Sequence, residues 1–273
     1  MSLSDRKIPG AKIATLDIER VPGRARIEHR GLTIEGDFWD LSGWKYKIGR
    51  RIRPDEVLEW PRSICAAWRW KGTRPIHFAA EWEDGGRHTF LETVWGAYDQ
   101  ADILRGHNIR GFDSKKLKGE WWLMGLNPPS AYKTVDTLTI ARREFGLESN
   151  TLAALLARLG LPGKVDRYDP EVAKAACAGD KAAQRRITRY NRGDVPASEL
   201  LCDALTGWDT THPHLGLYNG KERSCNQCGG TEFTATGLVR AVTNSYAGYR
   251  CDNCGANLRN NYRKGTVTMR AAR

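Results

Sequence analysis

The chain has 273 residues, of which 40% are hydrophobic and 27% charged, a composition typical of a folded globular protein. It contains no apolar run of the roughly 18 to 20 residues that span a bilayer, so we expect no membrane partner. The first residues, MSLSDRKIPGAK, lack the apolar stretch of a signal peptide. We therefore expect a cytoplasmic protein, in which the seven cysteines bind metal or lie buried instead of forming disulfides.

The charge of the chain indicates its kind of partner. The formal net charge is +11, which favours a polyanion. Residues 218–273 hold nine Lys and Arg against three acids, and thus more than half of the excess. This concentration near one end predicts contact with nucleic acid.

The first half of the chain reads mainly as strands. A short strand is predicted over residues 12–19, ended by the turn-forming Val21-Pro22-Gly23. Residues 24–60 show no clear pattern and are interpreted as irregular. The next expected elements are strands at 63–70, about 74–80 and near 87–90, an amphipathic helix over 91–104, and a helix from Asp113 onward.

The second half reads mainly as helices. The clearest one covers residues 149–159, where leucines recur at helical spacing and Ser149 or Asn150 serves as the cap. Helical character returns from about 170 to 205, with an interruption expected near Gly193 and Pro196. Turn residues follow. The predicted organisation is an α/β domain at 1–206, a linker at 207–217 and a small domain at 218–273.

Four carboxylates lie on three predicted elements. Asp17 and Glu19 are two apart on a strand and therefore share a face, where they repel each other unless a cation neutralises them. The alternatives to a metal ion are a solvated strand end, or neutralisation by Arg20 or a distant Lys. Asp113 follows Asn108-Ile-Arg-Gly-Phe112 and by itself could be a helix N-cap. Tyr190 and Asp194 are four apart and therefore lie on one face of a helix, where such a pair is often solvent-exposed and has no functional role.

Taken together, the acids favour a metal site. Carboxylate oxygens are the ligands of hard divalent cations such as Mg²⁺, and acids from several elements can hold two ions close together. Asp136 is an alternative ligand, for which we favour a structural role because Thr137 follows it at a predicted strand end.

The acidic motifs, in order along the chain, resemble the DnaQ-like DEDD exonucleases of the tyrosine-bearing (DEDDy) subgroup. The matching blocks are Leu16-Asp-Ile-Glu19, Asn108-x₃-Phe112-Asp113 and Tyr190-x₃-Asp194. Two connecting segments, 135–138 and 149–152, look like those of phage-type members. The resemblance covers about residues 12–205 and is weakest over 24–60.

The resemblance implies a fold, a chemistry and a set of roles. The fold would be ribonuclease-H-like, a mixed sheet flanked by helices. Two Mg²⁺ or Mn²⁺ ions would serve the stepwise release of nucleoside monophosphates from a 3′ end. The implied metal ligands are Asp17, Glu19, Asp113 and Asp194, with Tyr190 orienting the water and with His107, Asn108 and Phe112 along the substrate groove. Phage-type relatives also imply a viral replication module, acting in the host cytoplasm.

Two CxxCG motifs predict a zinc site in the small domain. Cys225 and Cys228 form the first pair, Cys251 and Cys254 the second, with 22 residues between the inner cysteines. Four thiolates at this spacing surround one Zn²⁺, which stabilises a domain too small for a sufficient core. The alternatives are chance pairs or redox motifs. We expect a small β zinc ribbon with a structural ion, and buried thiols at Cys65, Cys177 and Cys202.

The sequence thus favours a metal-dependent 3′→5′ exonuclease acting on nucleic acid, with DNA preferred over RNA. An endonuclease or Holliday-junction resolvase of the same fold is the enzymatic alternative, and a non-catalytic zinc-ribbon nucleic-acid-binding protein is the other. The ribbon would contact either nucleic acid or a polymerase or other replication or repair protein. Aromatic side chains among its basic residues suit stacking on bases, or complete its small core. These aromatic residues are Phe233, Tyr246, Tyr249 and Tyr262.

Overall fold

The computed structural model describes residues 10–42, 50–163 and 167–267. Its strands are β1 (Ile13–Val21), β2 (Arg24–His29), β3 (Leu32–Asp37), β4 (Val57–Glu59), β5 (Arg62–Trp70), β6 (His77–Ala80), β7 (Ile103–Gly106), β8 (Lys133–Asp136), β9 (Phe233–Arg240), β10 (Asn244–Cys251) and β11 (Asn257–Thr266). Its helices are α1 (Phe38–Ser42), α2 (Gly86–Gln100), α3 (Asp113–Leu123), α4 (Thr137–Glu144), α5 (Leu152–Arg158), α6 (Pro170–Cys177), α7 (Lys181–Leu205) and α8 (Gly216–Asn219).

A five-stranded mixed sheet forms the centre of the larger domain. The strand order is β6-β5-β1-β7-β8, with β5 and β6 antiparallel to their neighbours and with β7 and β8 parallel to β1. One apolar cluster packs α2 and α3 on one face, and two further clusters pack α4 to α7 on the other. The predicted α/β fold class, a mixed sheet flanked by helices, is confirmed.

The alternation of β1 decides which side chains reach the helices. Ala14, Leu16 and Ile18 belong to the cluster beneath α2 and α3. Ile13 belongs to the opposite cluster, with residues of α7. Because successive side chains of a strand point to opposite faces, Asp17 and Glu19 follow Ile13 toward α7.

The interpretation of residues 24–60 as irregular is wrong. A second small antiparallel sheet of order β3-β2-β4 lies there, and Ala25, Ile27 and Leu41 form its buried cluster. Alternation of buried and exposed residues along β2 is the strand signal that the abundant Arg and Gly obscured. Arg30 and Gly31 close the β2–β3 hairpin with positive φ angles of 52° and 77°, as tight two-residue turns require.

Two other expected elements are also wrong. The region near 87–90 is helical instead of extended, since α2 begins at Gly86 after Gly85 adopts a left-handed φ of 84°. That helix ends at Gln100, before the predicted 104. Ile103 and Leu104 are fully buried in β7, where a central parallel strand is covered on both faces.

The helix predicted over 149–159 is shorter than expected. Thr151, and neither Ser149 nor Asn150, caps α5 by accepting a hydrogen bond from the Ala154 amide. Leu159, the last residue of the predicted helix, is 51% exposed, since it follows the last helical residue.

The interruption expected near Gly193 and Pro196 does not occur. Helix α7 runs unbroken from Lys181 to Leu205 with Pro196 inside it, and the chain instead breaks between α6 and α7, where Gly179 has a φ of 100°. An interior proline costs a helix about 3 kcal/mol or more. Burial of an apolar side chain such as Ile187, Val195 or Leu201 stabilises the fold by about 1.5–3 kcal/mol each, which offsets that loss.

The C-terminal residues 218–267, called the ribbon below, contain a three-stranded antiparallel sheet of order β11-β10-β9. Leu215 packs into the same cluster as Leu205 of α7. A Cβ on Gly207 would lie 2.4 Å from the carbonyl oxygen of Cys254, so the ribbon contacts the end of α7 closely. No helix in the described ranges has both the length and the apolar character needed to cross a membrane.

Candidate metal centres

Three carboxylates from two elements converge on the α7 face of the sheet. Asp17 and Glu19 come from β1 and Asp194 from α7, and their ligand oxygens all lie within 4.8 Å of one another. Glu19 and Asp194 are buried, and Asp17 is half-buried. We call these three residues the acidic cluster. Charged oxygens this close repel each other strongly, and a divalent cation among them removes that cost.

Asp113 lies beside the acidic cluster. It is the first residue of α3, and its Oδ1 accepts a hydrogen bond of 3.1 Å from the backbone N–H of Ile18, which lies between Asp17 and Glu19 in β1. Asp113 is buried. The helix-capping alternative for Asp113 is thus not needed to explain its position, because its carboxylate is bound to the strand that carries two of the acids.

Asp136 has the structural role that we favoured. Its carboxylate accepts hydrogen bonds from the backbone N–H groups of Leu138 and Thr139, and so caps α4. It also accepts from the N–H groups of Asn108 and Arg110, at 3.0 Å each. Two of these four backbone donors belong to the loop that precedes Asp113, so Asp136 fixes that loop to the start of α4.

Asn191, which the sequence did not single out, completes the surroundings of Asp17. Its Nδ2 donates to the carboxylate of Asp17 at 2.8 Å and to the backbone carbonyl of the same residue at 3.2 Å. The Cys65 thiol donates to its Oδ1 at 3.8 Å. Asn191 is fully buried and lies between Tyr190 and Asp194 on α7. The only sequence signal for it was this position.

Cys65 remains a thiol in this environment. Burial raises the pKa of Cys65 well above its ordinary value, and the charges of Glu19 and Asp17 raise it further. A protonated sulfur is a poor metal ligand. The expectation of a buried thiol at Cys65 agrees with its complete burial, and Cys202 is buried as well, whereas Cys177 is half-exposed.

Two tyrosines meet next to the acidic cluster. Tyr190 is buried one helical turn before Asp194, and α7 keeps both on one face. The ring of Tyr168 lies 6.5 Å from that of Tyr190, centroid to centroid, and its hydroxyl donates to the carbonyl of Arg20. Burial, followed by the charge of Glu19, raises the pKa of Tyr168, so this phenol is neutral at physiological pH. No sequence motif marks Tyr168, which the sequence alone therefore did not identify.

The residues expected along the substrate groove lie in the loop between β7 and α3. His107 Nδ1 is 3.0 Å from the Thr137 hydroxyl. Asn108 has a φ of 63°, and its side chain approaches Gly111 so closely that a Cβ there would lie 2.5 Å from Asn108 Oδ1. Phe112 is 36% exposed and precedes Asp113 directly. Their role toward substrate stays a prediction.

Arg20 does not neutralise the strand acids. It points away from the acidic cluster, where its guanidinium donates to the Pro61 carbonyl at 2.8 Å and pairs with Glu120 at 3.4 Å. Glu120 also accepts from Arg87 at 2.9 Å and from the Ser63 N–H at 2.8 Å. These contacts of Arg20 give no support to the explanation in which it neutralises the strand acids without a metal.

The four cysteines of the ribbon form a second candidate centre. Sγ of Cys225 lies 3.7 Å from that of Cys254, and Sγ of Cys228 lies 3.6 Å from that of Cys251. A tetrahedral site with Zn–S bonds of about 2.3 Å separates its sulfurs by about 3.8 Å. The geometry fits Zn²⁺ with no open position, as a structural site requires.

The two cysteine turns have the same backbone geometry. In each, the glycine after the second cysteine donates its N–H to the carbonyl of the first cysteine, at 2.9 Å. Gly229 and Gly255 have φ angles of 76° and 72°, a conformation that side-chain-bearing residues rarely adopt. The glycines of the CxxCG motifs are therefore explained by the turns.

No protein-family model matches the chain. Among curated proteins it is similar to Protein NEN3 of Arabidopsis thaliana, with 32% identity over 84 residues, which cover 29% of this chain and 17% of that protein. Among solved structures it is similar to the family B DNA polymerase of the hyperthermophilic archaeon Pyrobaculum calidifontis, with 16% identity and a TM-score of 0.46. That similarity covers 73% of this chain and 26% of the polymerase chain. The chain thus spans less than a third of the length of either protein.

Proposed function

We propose that this chain is a metal-dependent nuclease, and in particular a 3′→5′ exonuclease that releases nucleoside monophosphates from DNA. The observation that carries the proposal is the convergence of Asp17, Glu19 and Asp194 within 4.8 Å. Asp113, bound to the backbone of Ile18, brings a fourth carboxylate to the same strand. The order of the D-x-E, N-x₃-F-D and Y-x₃-D blocks supports the exonuclease class.

The donor set suits Mg²⁺ or Mn²⁺. All the candidate ligands are carboxylate oxygens, which hard divalent cations prefer, and buried sulfur is kept protonated at Cys65. Asp17, Glu19, Asp113 and Asp194 would hold two ions. Bound there, the ions would acidify the attacking water and stabilise the oxygen that leaves the phosphorus.

The protein residues position these ligands and the water. Asn191 fixes the Asp17 carboxylate through its 2.8 Å hydrogen bond, and the Ile18 amide fixes that of Asp113. Tyr190 would orient the attacking water through its hydroxyl, with the Tyr168 ring packed against it at 6.5 Å. Phe112, partly exposed next to Asp113, would contact the terminal base of the substrate.

The test is an end-labelling assay on the purified chain. Single- and double-stranded DNA labelled at the 5′ or the 3′ end is incubated with Mg²⁺, and products are compared for wild type, Asp194→Asn and Asp203→Asn. Asp203 is the matched control, since it lies on the same helix but is 65% exposed. We expect 3′-terminal mononucleotides from wild type and from the control, and none from Asp194→Asn.

Other products would assign the site differently. Cleavage of a closed circular DNA would assign an endonuclease or resolvase activity to the same acids. Binding of DNA with no cleavage in any divalent cation, unchanged by Asp194→Asn, would contradict the enzyme proposal. A parallel RNA substrate decides between DNA and RNA.

A further inference from the structure

The ribbon has a concave surface that the proposed chemistry does not use. A cavity of about 820 Å³ opens between the ribbon sheet and the segment that leads into it. Among its lining residues are Arg223, Arg259, Tyr262 and a row of amides from β11. We call this cavity the ribbon groove. The ribbon contacts the end of α7 that carries Leu205. Asp194 lies eleven residues before Leu205, roughly 16 Å at about 1.5 Å per residue, so the ribbon groove lies apart from the acidic cluster.

The cations of the ribbon are not neutralised by the protein. In the described part of the ribbon, no Lys or Arg side chain forms an ion pair with a carboxylate. The cations concerned are Lys221, Arg223, Arg240, Arg250, Arg259, Arg263 and Lys264. Glu222 is the one acid among the groove-lining residues. This excess of unpaired positive charge complements a polyanion.

Aromatic rings hold the two groove arginines in place. The Arg223 guanidinium lies 5.7 Å and 5.5 Å from the ring centroids of Phe233 and Tyr249, and that of Arg259 lies 3.8 Å from the ring centroid of Tyr246. Such stacking orients a planar guanidinium and leaves its N–H groups available for phosphate oxygens. Three of the ribbon aromatics thus support arginines.

Tyr262 is the aromatic side chain left for a base. It lies on the edge strand β11, lines the groove and is 81% exposed. Asn257, Asn260 and Asn261 line the groove beside it and offer amide donors and acceptors for base edges. Exposed aromatics next to unpaired cations are typical of surfaces that bind single strands, because stacking requires unpaired bases.

We propose that the ribbon groove binds a single strand of the substrate nucleic acid, with Arg223 and Arg259 contacting phosphates and Tyr262 stacking on a base. The proposal rests on the proposed nuclease function in one respect: the bound strand is the one whose 3′ end reaches the acidic cluster. The groove would therefore raise affinity for long strands without changing the cleavage step.

The binding test uses the full chain carrying Asp17→Asn, so that cleavage is blocked without a chelator that would also remove zinc. Fluorescence anisotropy of a labelled oligodeoxythymidylate is measured for Tyr262→Ala, Arg259→Ala and the control Arg240→Ala, which removes an equal charge from β9 outside the groove. We expect about tenfold weaker binding for each groove variant, within the range for loss of one stacked base or one charged contact. Arg259→Ala should also reduce the slope of log K against log salt by about 0.7.

A cleavage test on the active chain separates the two proposals. Tyr262→Ala should raise KM for a long single strand while leaving kcat and the cleavage of a dinucleotide unchanged. If the groove variants weaken DNA binding as expected but neither wild type nor any variant cleaves DNA, the exonuclease proposal is overturned and the groove proposal stands. Normal cleavage, with groove variants that bind DNA like Arg240→Ala, would overturn the groove proposal and point to a protein partner for this surface.

Discussion

The α/β domain and the ribbon differ in how their positive charges are paired. In the α/β domain, several arginines are paired with carboxylates: Arg62 makes two hydrogen bonds to Glu81, Arg87 pairs with Glu120, and Arg105 pairs with Asp203. In the described ribbon, the cations have no such partners. The difference teaches that the paired arginines of the first part stabilise the fold around the acids, whereas the positive charge of the ribbon is available to a ligand.

The two parts also differ in what holds them together. The α/β domain has three apolar clusters around a central sheet. The cluster of the ribbon consists of its cysteines, Ala256 and two partly buried apolar residues, Phe233 and Leu258. A core of this size stabilises a domain little, so the ribbon depends on its proposed metal ion.

The largest expected effect is the loss of ribbon structure when the proposed zinc site is removed. Cys251→Ser removes one thiolate from the proposed site, and structural zinc contributes about 10–16 kcal/mol to the folding of small zinc domains. We expect loss of bound zinc and rapid proteolysis within residues 218–267, while the α/β domain keeps its thermal transition. Zinc content and limited proteolysis measure this. Cys177→Ser, outside the cluster, should keep the zinc; retention of zinc by Cys251→Ser would refute the ribbon site.

The next effect tests the internal pairing of charge. Glu120→Ala leaves Arg20 without its carboxylate and the Ser63 amide without its acceptor, and leaves Arg87 with Glu81 as its remaining carboxylate. Breaking a buried pair costs about 3–5 kcal/mol, which chemical denaturation will detect. DNA affinity should stay unchanged. Arg259→Ala in the ribbon should give the reverse result, with stability within about 0.5 kcal/mol of wild type. Equal losses of stability in Glu120→Ala and Arg259→Ala would contradict the difference in charge pairing between the α/β domain and the ribbon.

A smaller effect is expected from Asn191. Asn191→Ala removes the hydrogen bond that orients the Asp17 carboxylate. Partners of metal ligands typically contribute about 10–100-fold to activity or metal affinity, so we expect a loss of cleavage in that range. The measurement is kcat in Mn²⁺ over a range of metal concentrations. If Asn191→Ala and wild type have equal kcat at low Mn²⁺ concentration, the hydrogen bond from Asn191 is not needed to orient the Asp17 carboxylate.

The smallest effect concerns acid stability of the second sheet in the larger domain. Hydrogen bonds from Arg50 and from the Arg53 amide hold the pKa of Glu56 at about 2, below its usual value of 4.5. Since this pKa is depressed on folding, the stabilisation is present above pH 4.5 and is lost as the pH falls toward 2. We expect amide exchange in β2 to accelerate over this window, because Arg50 also contacts the carbonyl of Glu28. Glu56→Gln should flatten the dependence; an unchanged profile would contradict this role of the pair.

Motifs with fixed spacing predicted well. The strand carrying Asp17 and Glu19, the helix beginning at Asp113 and the paired cysteine turns each follow from local periodicity or from turn chemistry. The hairpin of residues 24–37 was missed although β2 alternates, and the break expected at Pro196 was wrong because long-range packing of α7 outweighs one lost hydrogen bond.

The supporting residues of the site could not be predicted in the same way. Asn191, Tyr168 and Glu120 act across 57 to 174 positions of sequence. Their partners become neighbours only when β1, α3 and α7 pack together. Local patterns therefore identified the acids themselves but not the hydrogen bonds that hold them.

The most direct test of the acidic cluster is the binding of Mn²⁺, measured by isothermal titration of the zinc-loaded chain in the absence of DNA. Wild type and Asp203→Asn should bind Mn²⁺ alike, and Asp17→Asn, Glu19→Gln and Asp194→Asn should each weaken binding by more than about tenfold, since even partners of metal ligands contribute that much. Equal Mn²⁺ binding by all five proteins would contradict a metal site at the acidic cluster.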